Sequence, residues 1–254
     1  AYPAGRVGGP RDDLAAIRAA EGGARVILLN AHPKIGLKIL MSGGTRCNVT
    51  HREVTAADYF GGSRNVVARI LRAFTSEQTR EWFGAMGVEL KLEETGKYFP
   101  VSDDAQTVLD ALRAECARVG VEVRSGARVV RIEREGASGA AEVERSANEP
   151  ASPAAHGAYI DVEPARSKAE QTSPAAAPGA VATRFRLGIE RVSESATFGT
   201  RVAEIGRTDW PLPEAAPDEW LDADAVILAT GGLSFPRTGS DGVGYALATA
   251  LGHS

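Results

Sequence analysis

Cysteine is nearly absent: the 254 residues hold two, Cys47 and Cys116. Two thiols cannot frame a disulfide-stapled fold, and a reducing cytoplasm is the default compartment. No block of lysine or arginine stands out and the net charge is −4, which argues against an electrostatic nucleic-acid surface. No apolar run approaches the length of a membrane span, and the first twenty residues lack the apolar core of a signal peptide. No metal-ligand set is read, and no separate catalytic constellation of the kind a plain NAD-dependent dehydrogenase would need. What is present is ordinary for a globular chain: 43% apolar residues, enough for a core, and 24% charged. The length allows one large domain, or one domain and a piece of another.

The densest signal is the stretch Gly36-Leu-Lys-Ile-Leu-Met-Ser-Gly-Gly-Thr-Arg-Cys-Asn48. It packs backbone freedom (Gly43, Gly44), hydroxyls (Ser42, Thr45) and cations (Lys38, Arg46) into a dozen residues. Such a loop can lay its own N–H groups against phosphate or ring oxygens. A solvated turn uses the same residue types. Cys47 lies beside Arg46, where a cation would lower its pKa; a packed thiol is the plainer reading. Before the loop runs Ala24-Arg-Val-Ile-Leu-Leu-Asn30, whose aliphatics suit a parallel strand covered on both faces.

A dinucleotide-binding βαβ unit should open with a buried strand and then G-x-G-x-x-G. The chain begins Ala-Tyr-Pro-Ala-Gly-Arg-Val, which reads as too polar and too short for a central strand. Gly8-Gly9-Pro10 then turns into a helix to about Glu21, ended by Gly22-Gly23. With Gly9 as the second fingerprint glycine, Val7 and Asp12 replace the other two. A carboxylate at that helix mouth would repel a pyrophosphate. Asn30 stands where an acidic side chain would take ribose hydroxyls; it can accept one hydrogen bond there, or simply cap the strand.

Helical segments follow. Val66, Val67, Ile70, Leu71 and Phe74 share one helical face and are read as a core stripe. Thr75 with Gln78 forms a capping box for a helix carrying Trp82, Phe83 and Met86. Val88, Leu90 and Leu92 alternate as a strand, residues 96–100 read as a turn, and Ser102 as the cap of a helix striped with Ala105, Val108, Leu109, Leu112, Cys116 and Val119. Short strands are expected at 121–123 and 128–132. Residues 136–222 turn rich in Ala, Pro, Ser and Glu, too poor in apolar surface to offset ordering entropy. They read as a partly disordered insertion on a hairpin or small sheet, with strand islands at 158–162 and 183–189 and a solvated His156. The remaining domain is 1–135 with 223–254. There, Asp224-Ala-Val-Ile-Leu-Ala-Thr-Gly-Gly232 is a buried strand entering a turn, followed by a second glycine-rich loop and a helix. Open α/β sheets bind ligands at such strand ends.

Three blocks carry a resemblance: Lys38-Ile-Leu-Met-Ser-Gly-Gly-Thr-Arg-Cys-Asn-Val-Thr50, Gly96-Lys-Tyr-Phe-Pro-Val-Ser102 and Val226-Ile-Leu-Ala-Thr-Gly-Gly-Leu-Ser-Phe-Pro-Arg-Thr-Gly-Ser240. Together they resemble the BaiN/RdsA group of NAD(P)/FAD-dependent oxidoreductases, the aminoacetone-oxidase-like flavoproteins. The resemblance implies an α/β, glutathione-reductase-like Rossmann-type domain with a mainly parallel sheet and FAD as cofactor, NAD(P)H serving as reductant. It places Gly8 and Gly9 at the pyrophosphate, Asn30 at the adenosine ribose, and Lys38, Ser42, Gly43, Gly44, Thr45, Arg46, Cys47 and Asn48 along the cofactor, with Thr230, Gly231 and Gly232 passing close by. The substrate would be a small molecule, with no nucleic acid and no membrane as partner. No catalytic acid or base is assigned. The chain departs from the family in its fingerprint glycines, in Asn30, in Thr45 where a glycine is usual, and in stopping before a substrate domain. It therefore reads as a fragment or degenerate member, and a non-catalytic relic that binds no flavin is the alternative.

Overall fold

The computed structural model of the chain describes residues 4–7, 12–59, 63–134, 184–193, 215–232 and 238–253. Gly8, Gly9, His156 and the strand island at 158–162 lie outside them.

Four strands form a wholly parallel sheet in the order β10-β1-β2-β6, with β1 Ala4–Val7, β2 Val26–Asn30, β6 Glu122–Ser125 and β10 Val226–Leu228. The mainly parallel sheet expected from the sequence is present, but its first strand corrects the reading above. Ala4–Val7 is central, with Gly5 opposite Ile27 on one side and Val226 on the other. Strand propensity depends on context, and two ladders of backbone hydrogen bonds hold a segment whose side chains alone would not place it there. The chain passes from β1 to β2 through helix α1 (Asp12–Glu21), while β10 joins the opposite side of β1. The strand order therefore reverses at β1, and Val7, Leu29 and Leu228 end level.

Alternation along β2 divides the interior into two cores. Val26 and Leu28 face α1 and helix α5 (Ala105–Arg118), joining Ala16, Ile17, Val108, Leu112 and Cys116. Ile27 and Leu29 face the other way, onto an antiparallel sheet of β7 (Ala127–Arg134), β8 (Phe185–Arg191) and β9 (Glu219–Ala223), and onto helix α6 (Val243–Ala250). Arg134 pairs with Phe185 at the open end of the β7–β8 ladder.

A third sheet, β3 (Thr50–His51), β5 (Lys97–Pro100) and β4 (Leu90–Leu92), carries helices α3 (Arg64–Ala73) and α4 (Ser76–Ala85) between β3 and β4. Here three expectations change. Residues 97–100 are strand rather than turn; the chain reverses at Glu94, Thr95 and Gly96, where the Gly96 amide donates to the Glu93 carbonyl at 2.9 Å. Asp104, not Ser102, caps α5, accepting from the Gln106 amide at 2.8 Å, while Ser102 pairs with the Thr107 hydroxyl. The α3 stripe is not core: Val66 and Ile70 are 51% and 63% exposed. Helical spacing identifies a face but not what lies against it. The capping box of α4 forms as read, with Thr75 and Gln78 each accepting the other's amide.

Candidate functional site

Helix α2 (Leu37–Met41) starts at Gly36 in the left-handed region, and a Cβ there would lie 2.3 Å from Leu109 Cδ1. Only glycine lets α2 settle against α5. After α2 the backbone does something L-residues rarely do: Gly43, Gly44 and Thr45 are left-handed in succession, at φ 58°, 69° and 71°, and Cys47 follows at 63°. The Cys47 amide closes the turn onto the Ser42 carbonyl at 3.1 Å, and the Thr45 carbonyl accepts from the Ala105 amide at 2.9 Å, tying the loop to the start of α5. The curl is tight enough that a Cβ on Gly43 would meet the Asn48 nitrogen and the Phe99 ring at 2.8 Å.

The loop's side chains divide. Arg46 places its guanidinium 2.5 Å from Glu93 and 3.4 Å from Asp103, over the Phe99 ring at 4.1 Å. Its charge is already matched, so it fastens the loop to the β4–β5 hairpin. Lys91 completes the cluster through Asp103. The Cys47 thiol is buried, and burial pushes its pKa up despite the hydrogen bond with Ser42. It is a packed, protonated thiol, not one activated by Arg46. The Ser42 hydroxyl donates to the Ile39 carbonyl at 2.8 Å.

Lys38 reaches across the molecule. Its Nζ donates to the Ser240 hydroxyl at 3.0 Å, and a Cβ on Gly231 would sit 2.7 Å from that oxygen and 3.5 Å from Nζ. The two glycine-rich loops thus meet at the carboxyl edge of the parallel sheet. Thr230 is buried beneath them, and a Cβ on Gly244 would come within 1.9 Å of its Oγ1, so α6 approaches the strand end as closely as glycine allows. Gly232 faces the Tyr245 hydroxyl. Asn30 ends β2 with its amide donating to the His32 carbonyl.

Between α2, α4 and α5 lies a cavity of about 400 Å³ bordered by Leu14, Lys38, Ser42, Cys47, Asn48 and Trp82. Past Asn48, Phe74 and Thr79 it continues into a groove of about 720 Å³ walled by β3, α3 and α4. Sequence reasoning missed Ser240 and these apolar walls, because an apolar helix stripe looks the same whether it meets core or cavity. Asp13 suits a helix N-terminus by charge, but its burial was not foreseen: it is 4% exposed in the first turn of α1, and burial pushes its carboxyl up to about 6 while Arg113 pulls it back down.

The chain belongs to the HI0933-like protein Rossmann domain family, whose profile matches residues 7–153. This bears out the BaiN/RdsA resemblance and the Rossmann-type fold. It indicates the fold of a flavin-dependent oxidoreductase and supports an FAD-type cofactor. Over 249 residues the chain is 28% identical to the 3-dehydro-bile acid delta(4,6)-reductase of Clostridium scindens, covering 97% of this chain and 43% of that protein. Over 119 residues it is 31% identical to the ribosomal RNA dihydrouridine synthase of Haemophilus influenzae, covering 47% and 29%. The chain thus spans less than half the length of either relative. Among solved structures, it aligns with the open conformation of a flavocytochrome c3 fumarate reductase at a TM-score of 0.35 and 18% identity, over 52% of this chain and 28% of that one. Among the described residues, no helix is long and apolar enough to cross a membrane.

Proposed function

We propose that the chain is the FAD-binding part of a cytoplasmic oxidoreductase that passes hydride between NAD(P)H, flavin and a small organic substrate. The observation that supports it is the Lys38–Ser240 bond, which draws two glycine-rich loops together at the strand ends where a Rossmann-type sheet takes its ligand. The cavity beneath fits the cofactor's chemistry: an ammonium, a hydroxyl and an amide border an otherwise apolar space. Bound flavin would supply the two-electron redox chemistry, and the protein would bind and orient it.

In this reading Lys38, Ser42 and Asn48 offer donors to the cofactor. The left-handed run at Gly43, Gly44 and Thr45 brings backbone close to it, and Thr230, Gly231 and Gly232 form the opposing wall. Gly8 and Gly9 would serve the pyrophosphate and Asn30 the ribose. Arg46 and Cys47 shape the loop from behind. No side chain is assigned as acid or base.

One observation favours a second reading, a relic of the fold that binds no flavin: the acidic first turn of α1, where buried Asp13 follows Asp12. An anion there opposes a pyrophosphate. The visible spectrum of the purified protein decides between them. Flavin absorbance supports the enzyme; a folded, colourless protein that takes up no added FAD supports the relic. Asp12→Gly should raise FAD affinity in a titration, and unchanged binding would remove the pyrophosphate from that turn.

A further inference from the structure

The groove beyond the cavity has its own chemistry. Its described lining contains no aspartate or glutamate. Val54, Ala68, Leu71, Phe74 and the half-exposed Tyr59 make it largely apolar. The one full cation is Arg72, in the last turn of α3, which has no ion pair among the described residues. His51, on the β3 wall, presents its ring nitrogens to the Glu53 and Thr95 carbonyls at 2.9 and 3.0 Å, so the ring is held in place. The α3 stripe that ought to be core instead lends Leu71 to this space, with Phe74 just beyond the helix. At about 720 Å³ the groove lies within the range of small-molecule sites. It shares Leu14, Asn48, Val49, Phe74 and Thr79 with the cavity at the glycine-rich loop. A molecule lying in it would therefore have one end against that cavity.

We propose that this groove is the substrate compartment, and that it takes a small, largely apolar organic anion whose body lies along α3 and α4 and whose charge is met by Arg72. The assignment rests on the flavin reading, since only a neighbouring cofactor makes an occupant of the groove a substrate. An apolar wall favours burial of a hydrocarbon body, and a guanidinium with no ion pair and no carboxylate beside it among the described lining residues selects for negative charge.

The test uses a matched pair of fluorescent probes, anilinonaphthalene sulfonate and its uncharged counterpart phenylnaphthylamine, on the whole chain. The sulfonate should bind, and Arg72→Gln should weaken it about tenfold, the size of one lost charge-assisted hydrogen bond, while the neutral probe changes by less than about twofold. Ala68→Trp, which fills the groove, should abolish binding of both. Decanoate should displace the sulfonate in preference to a nucleoside monophosphate. Equal sulfonate affinity in Arg72→Gln, retention of both probes in a folded Ala68→Trp variant, or preferential displacement by the nucleotide overturns the assignment. Should Ala68→Trp not fold, the Arg72→Gln pair decides alone. Flavin absorbance is read on the same samples before and after adding FAD: a colourless protein that takes up no FAD yet still discriminates the probes sinks the cofactor reading and leaves the groove's selectivity standing.

Discussion

The ammonium of Lys38 donates to the hydroxyl of Ser240 across 202 positions of sequence, at 3.0 Å. Ser240 is 2% exposed, so the acceptor of this bond is shielded from water. Ser240→Ala should therefore destabilise the protein by about 1–3 kcal/mol, because a charged donor loses its buried acceptor. Urea denaturation measures that loss. A titration with FAD should show weaker binding in the same variant, since the loops it joins would part.

Thr45 carries a Cβ through a backbone region that suits glycine, with φ at 71°. Thr45→Gly should relieve that strain and stabilise the fold by about 0.5–1 kcal/mol after the added freedom of the unfolded chain is deducted. Gly43→Ala should do the reverse and cost more, because its Cβ meets backbone and ring at 2.8 Å. Thermal melts of the two variants on either side of the parent check the pair.

Asp13 ties stability to pH. Its folded pKa of about 6 stands above the ordinary 3.8 because burial disfavours the charge. Between those values the folded state keeps a proton that the unfolded state has released. The contribution of Asp13 is therefore complete below pH 3.8 and is lost as pH rises through 6. The loss is on the order of 3 kcal/mol at most. Asp13→Asn should flatten this part of the profile and raise stability at neutral pH; denaturation midpoints from acid to neutral pH, unchanged in slope by the substitution, would contradict it.

Both cysteines should resist alkylation in the native state. Burial raises the pKa of Cys47, and burial with the nearby Asp13 and Glu115 carboxylates pushes Cys116 up to about 12. Thiolate, the reacting form, is scarce at neutral pH for either. Iodoacetamide should label both only after denaturant is added, as mass spectrometry would reveal.

The pattern of aliphatics in β2 and the stripe of α5 made the parallel sheet and its helical cover readable, because both record burial directly in side-chain spacing. The first strand escaped, since Ala4–Val7 is held between two ladders, one supplied by β2 and the other by β10, which lies more than two hundred positions away. The glycine-rich loop was legible as a site from composition, but the fate of Arg46 was not. Its partners Glu93 and Asp103 belong to a hairpin and a turn nearly fifty and sixty positions away. Likewise α3 announced an amphipathic helix without saying that its apolar side borders open space.

Arg134 and Phe185 stand opposite one another in the β7–β8 ladder. The ladder therefore holds the two ends of the intervening chain opposite each other. Closing a longer excursion costs only about 0.6 kcal/mol per doubling. A change in the length of that connection should therefore cost the fold little, because the pairing that anchors both of its ends is made by β7 and β8 themselves.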